Sequence, residues 1–177
     1  MIRAFLALPI PEGITHRLTL AQHPLPLPRP VETGMFHLTL AFLDSQPESV
    51  LEDLHLILDG LRLPAPVLRL AGLGAFGGAA PDTVHALIAP DARLTTLQAK
   101  VARAARDVGI ALPARRFVPH VTLGRGLCEP AELARGMAAA GAVTSEPWTA
   151  TEMILYRSTL LKSGPAYDPL AVYALTP

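Results

Sequence analysis

The chain carries a single cysteine, Cys128, no net charge and no long apolar run. One thiol rules out an internal disulfide and leaves a cysteine-based zinc centre without ligands. Cys128 is followed by Glu129 and Pro130, which offer no helper base, so it reads as a buried or half-buried small apolar residue rather than a nucleophile. Fifteen basic residues balance fifteen acidic ones, so no global field draws the protein onto duplex nucleic acid or membrane, and an anionic ligand must be held locally. The apolar opening, Met1 to Pro9, is too short for a signal peptide or a membrane span, which makes a soluble cytoplasmic protein the expectation. Gly72, Gly74, Gly77 and Gly78 surround Phe76 without a following Gly-Lys-Ser/Thr and without a dinucleotide fingerprint, so they read as a hairpin connection and not as a phosphate loop. Charged residues are 17% of the chain and hydrophobic ones 50%, a balance that opposes disorder despite 18 prolines and 13 glycines.

What the chain does contain is one short pattern written twice. Phe36-His37-Leu38-Thr39-Leu40 returns nearly half a chain later as Phe117-Val118-Pro119-His120-Val121-Thr122-Leu123-Gly124-Arg125. In each copy apolar residues alternate with polar ones, the signature of a half-buried strand. Each His therefore shares a face with its Thr, from backbone positions roughly 7 Å apart at a rise of about 3.3 Å per residue. A small tetrahedral anion fits against such a pair. One His-x-Thr is most often a hydrogen-bonded core or edge histidine, but two matched copies point to one shared site.

Two imidazoles across a cleft supply a general base and a general acid, with ordinary pKa near 6.5 and so mixed protonation states at neutral pH. That suits in-line displacement at phosphorus. Thr39 and Thr122 can each donate a hydrogen bond to a non-bridging oxygen, and Arg125 can meet the charge that develops there. The scheme calls for no metal and no cofactor, and the pattern alone does not say which histidine donates. Arg115 and Arg116 add positive charge beside the second copy or are ordinary solvated turn residues.

The elements around the motifs follow from periodicity and punctuation. Residues 2–8 form a strand stopped at Pro9, and Pro11 and Glu12 open a helix to Gln22 with His16 and His23 at the surface. Pro24, Pro26, Pro28 and Pro30 impose an extended, unpaired crossover before a motif strand over 35–43. Ser45 to Glu48 has the form of a capping box for a helix that runs to Leu61, with His55 off its apolar stripe and exposed. Strands at 67–73 and 83–89 follow. Asp91 caps a helix that buries Leu94, Leu97, Val101, Ala104 and Ala105 until Gly109, and its basic side with Arg93, Lys100, Arg103 and Arg106 reads as a solvated face. After the second motif come a helix over 130–140, one or two strands over 148–160 and a last strand over 171–175. The order is one unit used twice, an α+β chain of residues 1–177 forming a single bilobal domain. Two mostly antiparallel sheets face a central cleft, with helices outside.

These residues resemble a known family, the 2H phosphoesterases, and within it the LigT-like RNA 2',3'-cyclic phosphodiesterases once described as bacterial 2'-5' RNA ligases. The likeness covers nearly the whole chain: Arg3 to Pro9, His37 to Leu43, Arg116 to Arg125, and Leu155 to Leu160 with Gly164 and Tyr167. It implies that His37 is the proton donor and His120 the proton acceptor, with Thr39, Thr122 and Arg125 holding the phosphate of an RNA 2',3'-cyclic end and leaving a 2'-phosphate. No metal, no membrane and no obligate protein partner are expected, with a monomer as the default. The chain departs from the family pattern at Asp44, where glycine is usual, and at Asp82, Thr83 and His85, where an arginine and a tryptophan are usual; His85 is expected in the core or at the rim, or else against a base. Other readings are ligation by the same site run backward, a metal-dependent hydrolase with His37 and His120 as ligands, a non-catalytic module for nucleotides or RNA ends, and an interaction protein that uses the proline segment. No carboxylate accompanies either His and there is no His-Glu-x-x-His, so chelator resistance separates the first from the second.

Overall fold

A computed structural model describes residues 1–114, 116–161 and 164–177. Arg115 thus lies outside the described residues, while Arg116 is exposed in the connection ahead of the second motif. The elements are β1 (Ile2–Pro9), α1 (Glu12–Gln22), β2 (Arg29–Pro30), a 3-10 turn (Thr33–Met35), β3 (His37–Gln46), α2 (Glu48–Asp59), β4 (Val67–Leu68), β5 (Leu70–Phe76), β6 (Thr83–Ile88), α3 (Ala92–Asp107), β7 (His120–Arg125), α4 (Pro130–Ala140), β8 (Trp148–Thr149), β9 (Glu152–Leu161) and β10 (Gly164–Ala174).

Seven strands lie antiparallel in the order β10-β9-β1-β3-β7-β6-β5, with β2 beside β7 and a small β4–β8 ladder apart. Between β3 and β7 the ladder holds at one pair, Leu38 with Val121. The two expected sheets are therefore the two lobes of one ladder, joined at a single rung. One lobe is β10-β9-β1-β3 and the other is β5-β6-β7 with β2. Each half of the sequence gives its motif strand to one lobe and its closing hairpin to the other: β5–β6 joins β7, and β9–β10 joins β1.

One face of this ladder is apolar. Ala4, Leu6 and Leu8 of β1, Leu38 and Leu40 of β3, and Val121 and Leu123 of β7 are buried in one cluster with Leu94, Leu97, Val101, Ala104 and Ala105 of α3. The alternation that buries these residues turns His37, Thr39, His120 and Thr122 to the opposite face, where all four are half-buried. The α3 helix starts where its sequence says: the Asp91 carboxylate accepts from the Leu94 N–H at 2.7 Å. Arg93, Arg103 and Arg106 lie in solvent, with Arg103 paired to Asp107 at 3.7 Å.

Several local expectations are corrected. Ser45 and Gln46 extend β3, and α2 is capped by Pro47 with no side-chain bond, so no capping box forms; the helix ends at Asp59. The first motif strand begins at His37 because the 3-10 turn occupies the residues before it. The proline segment is extended but not unpaired, since Arg29 and Pro30 form a short ladder with β7. The expected strand over 67–73 breaks into β4 and β5, and β5 runs on through the glycines to Phe76, leaving Gly77 and Gly78, both at positive φ, to begin the turn. His55 is half-buried, its Nδ1 3.1 Å from the Tyr173 hydroxyl. The final strand is far longer than residues 171–175, and its place at the sheet edge is one that tolerates Pro165 and Pro169. Cys128 is buried, as its composition context suggests.

Candidate active site

The site is set by the rung that joins the lobes. In an antiparallel pair, residues directly opposite share a face. Leu38 lies opposite Val121, and continuing that register by one residue in each direction sets His37 across from Thr122 and Thr39 across from His120. The two histidines and two threonines thus flank a pseudo-two-fold axis through Leu38 and Val121.

Both imidazoles are fixed in the same way. His37 Nδ1 lies 2.8 Å from the Met35 carbonyl and His120 Nδ1 lies 2.7 Å from the Val118 carbonyl. A carbonyl oxygen can only accept, so each Nδ1 carries the proton and donates it. With Nδ1 engaged in this way, Nε2 of each ring is the nitrogen that two-histidine chemistry would use. Each ring also leans on an aromatic group of its own lobe. His37 lies 4.9 Å from Phe5 and edge-on to Tyr167 at 5.3 Å. His120 lies edge-on to Phe76 and to His85, both at 5.0 Å.

Burial lowers the His37 pKa from its ordinary value, and the positive charge of Arg125 and His120 lowers it further, while the bond to the Met35 carbonyl opposes this. Arg125 reaches the site because β7 is bulged. His85 pairs with Thr122 but Val84 pairs with Gly124, which leaves Leu123 as the extra residue and brings Arg125, opposite Thr83, onto the cleft face. Strict alternation from Thr122 would have pointed Arg125 the other way. Its guanidinium stays exposed, beside both His37 and Tyr167.

His85 falls on the cleft face of β6 but at 2% exposure it cannot touch a base directly. Its ring stacks on Phe76 at 4.2 Å and sits over Gly74, where an added Cβ would come within 2.7 Å of Nε2. Gly74 is therefore required by the ring above it, which is why a glycine interrupts a strand. His85 Nδ1 is turned toward the Thr83 carbonyl without closing a full hydrogen bond, and burial together with the nearby His120 lowers its pKa to about 4. The sequence signal for this position is the alternation of Thr83, His85 and Leu87 against buried Val84, Ala86 and Ile88.

A histidine held neutral by folding binds its proton in the unfolded chain first. Between pH 6.5 and about 4 the unfolded state carries more protons, so stability is lost as pH falls through that window and levels off below it. The loss assigned to His85 is on the order of 3 kcal/mol. His85→Phe should flatten this part of a pH series of urea denaturation curves, and a slope equal to that of the unmodified chain would refute the assignment.

Among the described residues no three His, Cys, Asp or Glu side chains gather in a way that could hold a metal ion, and no helix is long and apolar enough to cross a membrane. The arrangement can bind a phosphate between two threonines and an arginine, and can move a proton at each of two Nε2 atoms.

Comparison with known proteins bears on the family and the fold. Residues 13–160 match the 2'-5' RNA ligase superfamily. An RNA 2',3'-cyclic phosphodiesterase of Geobacillus stearothermophilus is 33% identical over 162 residues, covering 88% of this chain and 50% of the relative, so the chain spans about half the length of the curated relative it matches. Among solved structures, a Thermus thermophilus protein superposes with a TM-score of 0.81 at 28% identity, over 98% of this chain and 97% of that one. E. coli LigT complexed with 3'-AMP superposes with a TM-score of 0.80 at 28% identity, over 99% of both chains. A repeated His-x-Thr pair on two central strands, spanned end to end by these likenesses, places the chain in the 2'-5' RNA ligase superfamily, as a LigT-like 2H phosphoesterase.

Proposed function

We propose that this chain is an RNA 2',3'-cyclic phosphodiesterase that hydrolyses cyclic phosphate ends to 2'-phosphates without a metal, through His37 and His120. The observation that carries this reading is the matched anchoring of the two rings, each with Nδ1–H on the main-chain carbonyl two residues before it.

The cyclic phosphate lies between Thr39 and Thr122 with Arg125 on its non-bridging oxygens. His120 Nε2 takes a proton from water as the water oxygen bonds to phosphorus. The P–O3' bond breaks, and His37 Nε2–H passes its proton to O3', so the product is a 2'-phosphomonoester and the two histidines have exchanged protonation states. Each imidazole moves one proton per turnover, and exchange with solvent returns His120 to neutral and His37 to its protonated form.

A donor must be protonated when the substrate is bound, yet burial and Arg125 favour neutral His37 in the empty cleft. A cyclic phosphate monoanion between them offsets the guanidinium charge and, as the group nearer the ring, favours its protonated form. Substrate thus charges its own acid. The same reading takes residues 1–177 as one domain acting as a monomer in the cytoplasm, on RNA ends, with no cofactor and no obligate partner.

The test is hydrolysis of an oligoribonucleotide ending in a 2',3'-cyclic phosphate, in excess EDTA, with the product assigned by phosphorus NMR. Turnover to a 2'-phosphate is expected. A requirement for added divalent metal, or no turnover at all, would reject the mechanism.

A further inference from the structure

The proline segment before the first motif has no part in the chemistry above, yet it is fastened with unusual closeness. Leu27 presses on Gly124, where an added Cβ would lie 2.9 Å from its methyl carbons, and Pro28 presses on Gly126 at 3.0 Å. Pro24 and Pro26 cross α4 at Gly136, where a Cβ would meet the Pro24 carbonyl at 2.7 Å. The Val31 N–H donates to the Leu123 carbonyl at 2.8 Å, and Gln22 Nε2 donates to both the Val31 and Leu123 carbonyls. Gly124 on β7, Gly126 just after it and Gly136 on α4 make room for this strap, and alternate prolines stiffen it.

What the strap delivers is Arg29, directly opposite Arg125 in the β2–β7 ladder. Opposite residues share a face, with Cβ atoms roughly 5 Å apart, and like charges so placed repel. Both side chains are exposed, and neither makes an ion pair among the described residues. A rigid support that holds two unpaired guanidiniums side by side at the rim of a cleft is the arrangement an anion relieves. Arg125 is the inner member of the pair, beside His37; Arg29 is the outer one, farther from the reacting phosphorus.

We propose that Arg29 binds a second phosphate of the substrate, on the 5' side of the nucleoside that carries the cyclic phosphate, with Arg125 between the two phosphates. This rests on the reading of the cleft as a cyclic phosphodiesterase site. It makes an RNA end with at least one preceding phosphate the preferred substrate over an isolated nucleoside cyclic phosphate.

Three substrates test it: a nucleoside 2',3'-cyclic phosphate with a free 5'-hydroxyl, the same nucleoside with a 5'-phosphate, and a dinucleotide ending in a cyclic phosphate. Arg29→Ala should lower kcat/KM on the dinucleotide about tenfold, through KM, and erase most of its advantage over the 5'-hydroxyl nucleoside. The dependence of log kcat/KM on log salt should become shallower by about 0.7 for the dinucleotide, the share of one phosphate on a single strand. Arg29→Lys should recover part of the loss and all of the salt slope. If the 5'-phosphorylated nucleoside behaves as the dinucleotide does, a terminal monoester suffices; if it behaves as the 5'-hydroxyl form does, an internal diester is read; both support the site. Equal losses on all three substrates, or no loss on the dinucleotide, overturn it. Should the unmodified chain turn over none of the three, the hydrolytic reading fails, and titration with a dinucleotide bearing a 3'-phosphate still decides Arg29: about tenfold weaker binding by Arg29→Ala supports the subsite, and equal binding removes it.

Discussion

Alanine at His120 lowers kcat by about a thousandfold or more, and alanine at His37 does the same, because each removes one proton transfer worth typically 10²–10⁴ in rate. The two losses do not multiply. Once the base is gone, a poised acid has little left to assist, so the double variant should fall near the worse single one. Both rings are half-buried on a polar face, outside the apolar cluster that holds the lobes, so melting temperature should hardly move. Thr39→Ala and Thr122→Ala remove one hydrogen bond to a non-bridging oxygen each and should cost about tenfold to a thousandfold. Steady-state kinetics on a cyclic-phosphate oligonucleotide, with thermal melting run on the same preparations, checks the series. Near-normal turnover by either histidine variant would end the two-histidine mechanism.

Leu38→Ala is the largest expected stability effect. Leu38 has no exposed surface and forms, with Val121, the one rung between the lobes. Truncating a buried leucine removes its transfer energy and leaves a cavity, together about 2–5 kcal/mol. For a chain of this size that corresponds to a fall in melting temperature on the order of 10 °C. The cavity lies on the core side of the sheet, directly behind the rung that sets the two motif strands, so kcat should drop along with stability. Leu56→Ala is the control: Leu56 is 70% exposed on α2, and its loss should change stability by about 0.5 kcal/mol or less. Equal melting temperatures for the two variants would show that the rung does not hold the lobes together.

The histidine and threonine pairs were legible because a strand alternates with period two, and two copies of one alternation are hard to mistake. The α3 helix was legible for similar reasons, with Asp91 at one end and Gly109 at the other. Arg125 was named from the motif, but its aim was not readable, since it depends on one extra residue at Leu123 that shows only against β6. Gly72 and Gly74 look like loop residues in isolation, and only the His85 ring above Gly74 explains a glycine inside a strand. The last strand was expected only over residues 171–175, and it reaches back to Gly164 in a hairpin with β9 that local pattern did not show. Each miss concerns a partner distant in sequence, which local pattern does not report. The pairing of Arg29 with Arg125 belongs to the same class.

The exchange of hairpins between the lobes sets an order on synthesis. The lobe around His120 needs β5, β6 and β7, all of which have left the ribosome soon after residue 125 has been made. The lobe around His37 begins earlier, with β1 and β3, but waits for β9 and β10, which start at Glu152. Its first two strands therefore spend most of translation with one edge of β1 bare. The half of the site that is written first is the half that is finished last.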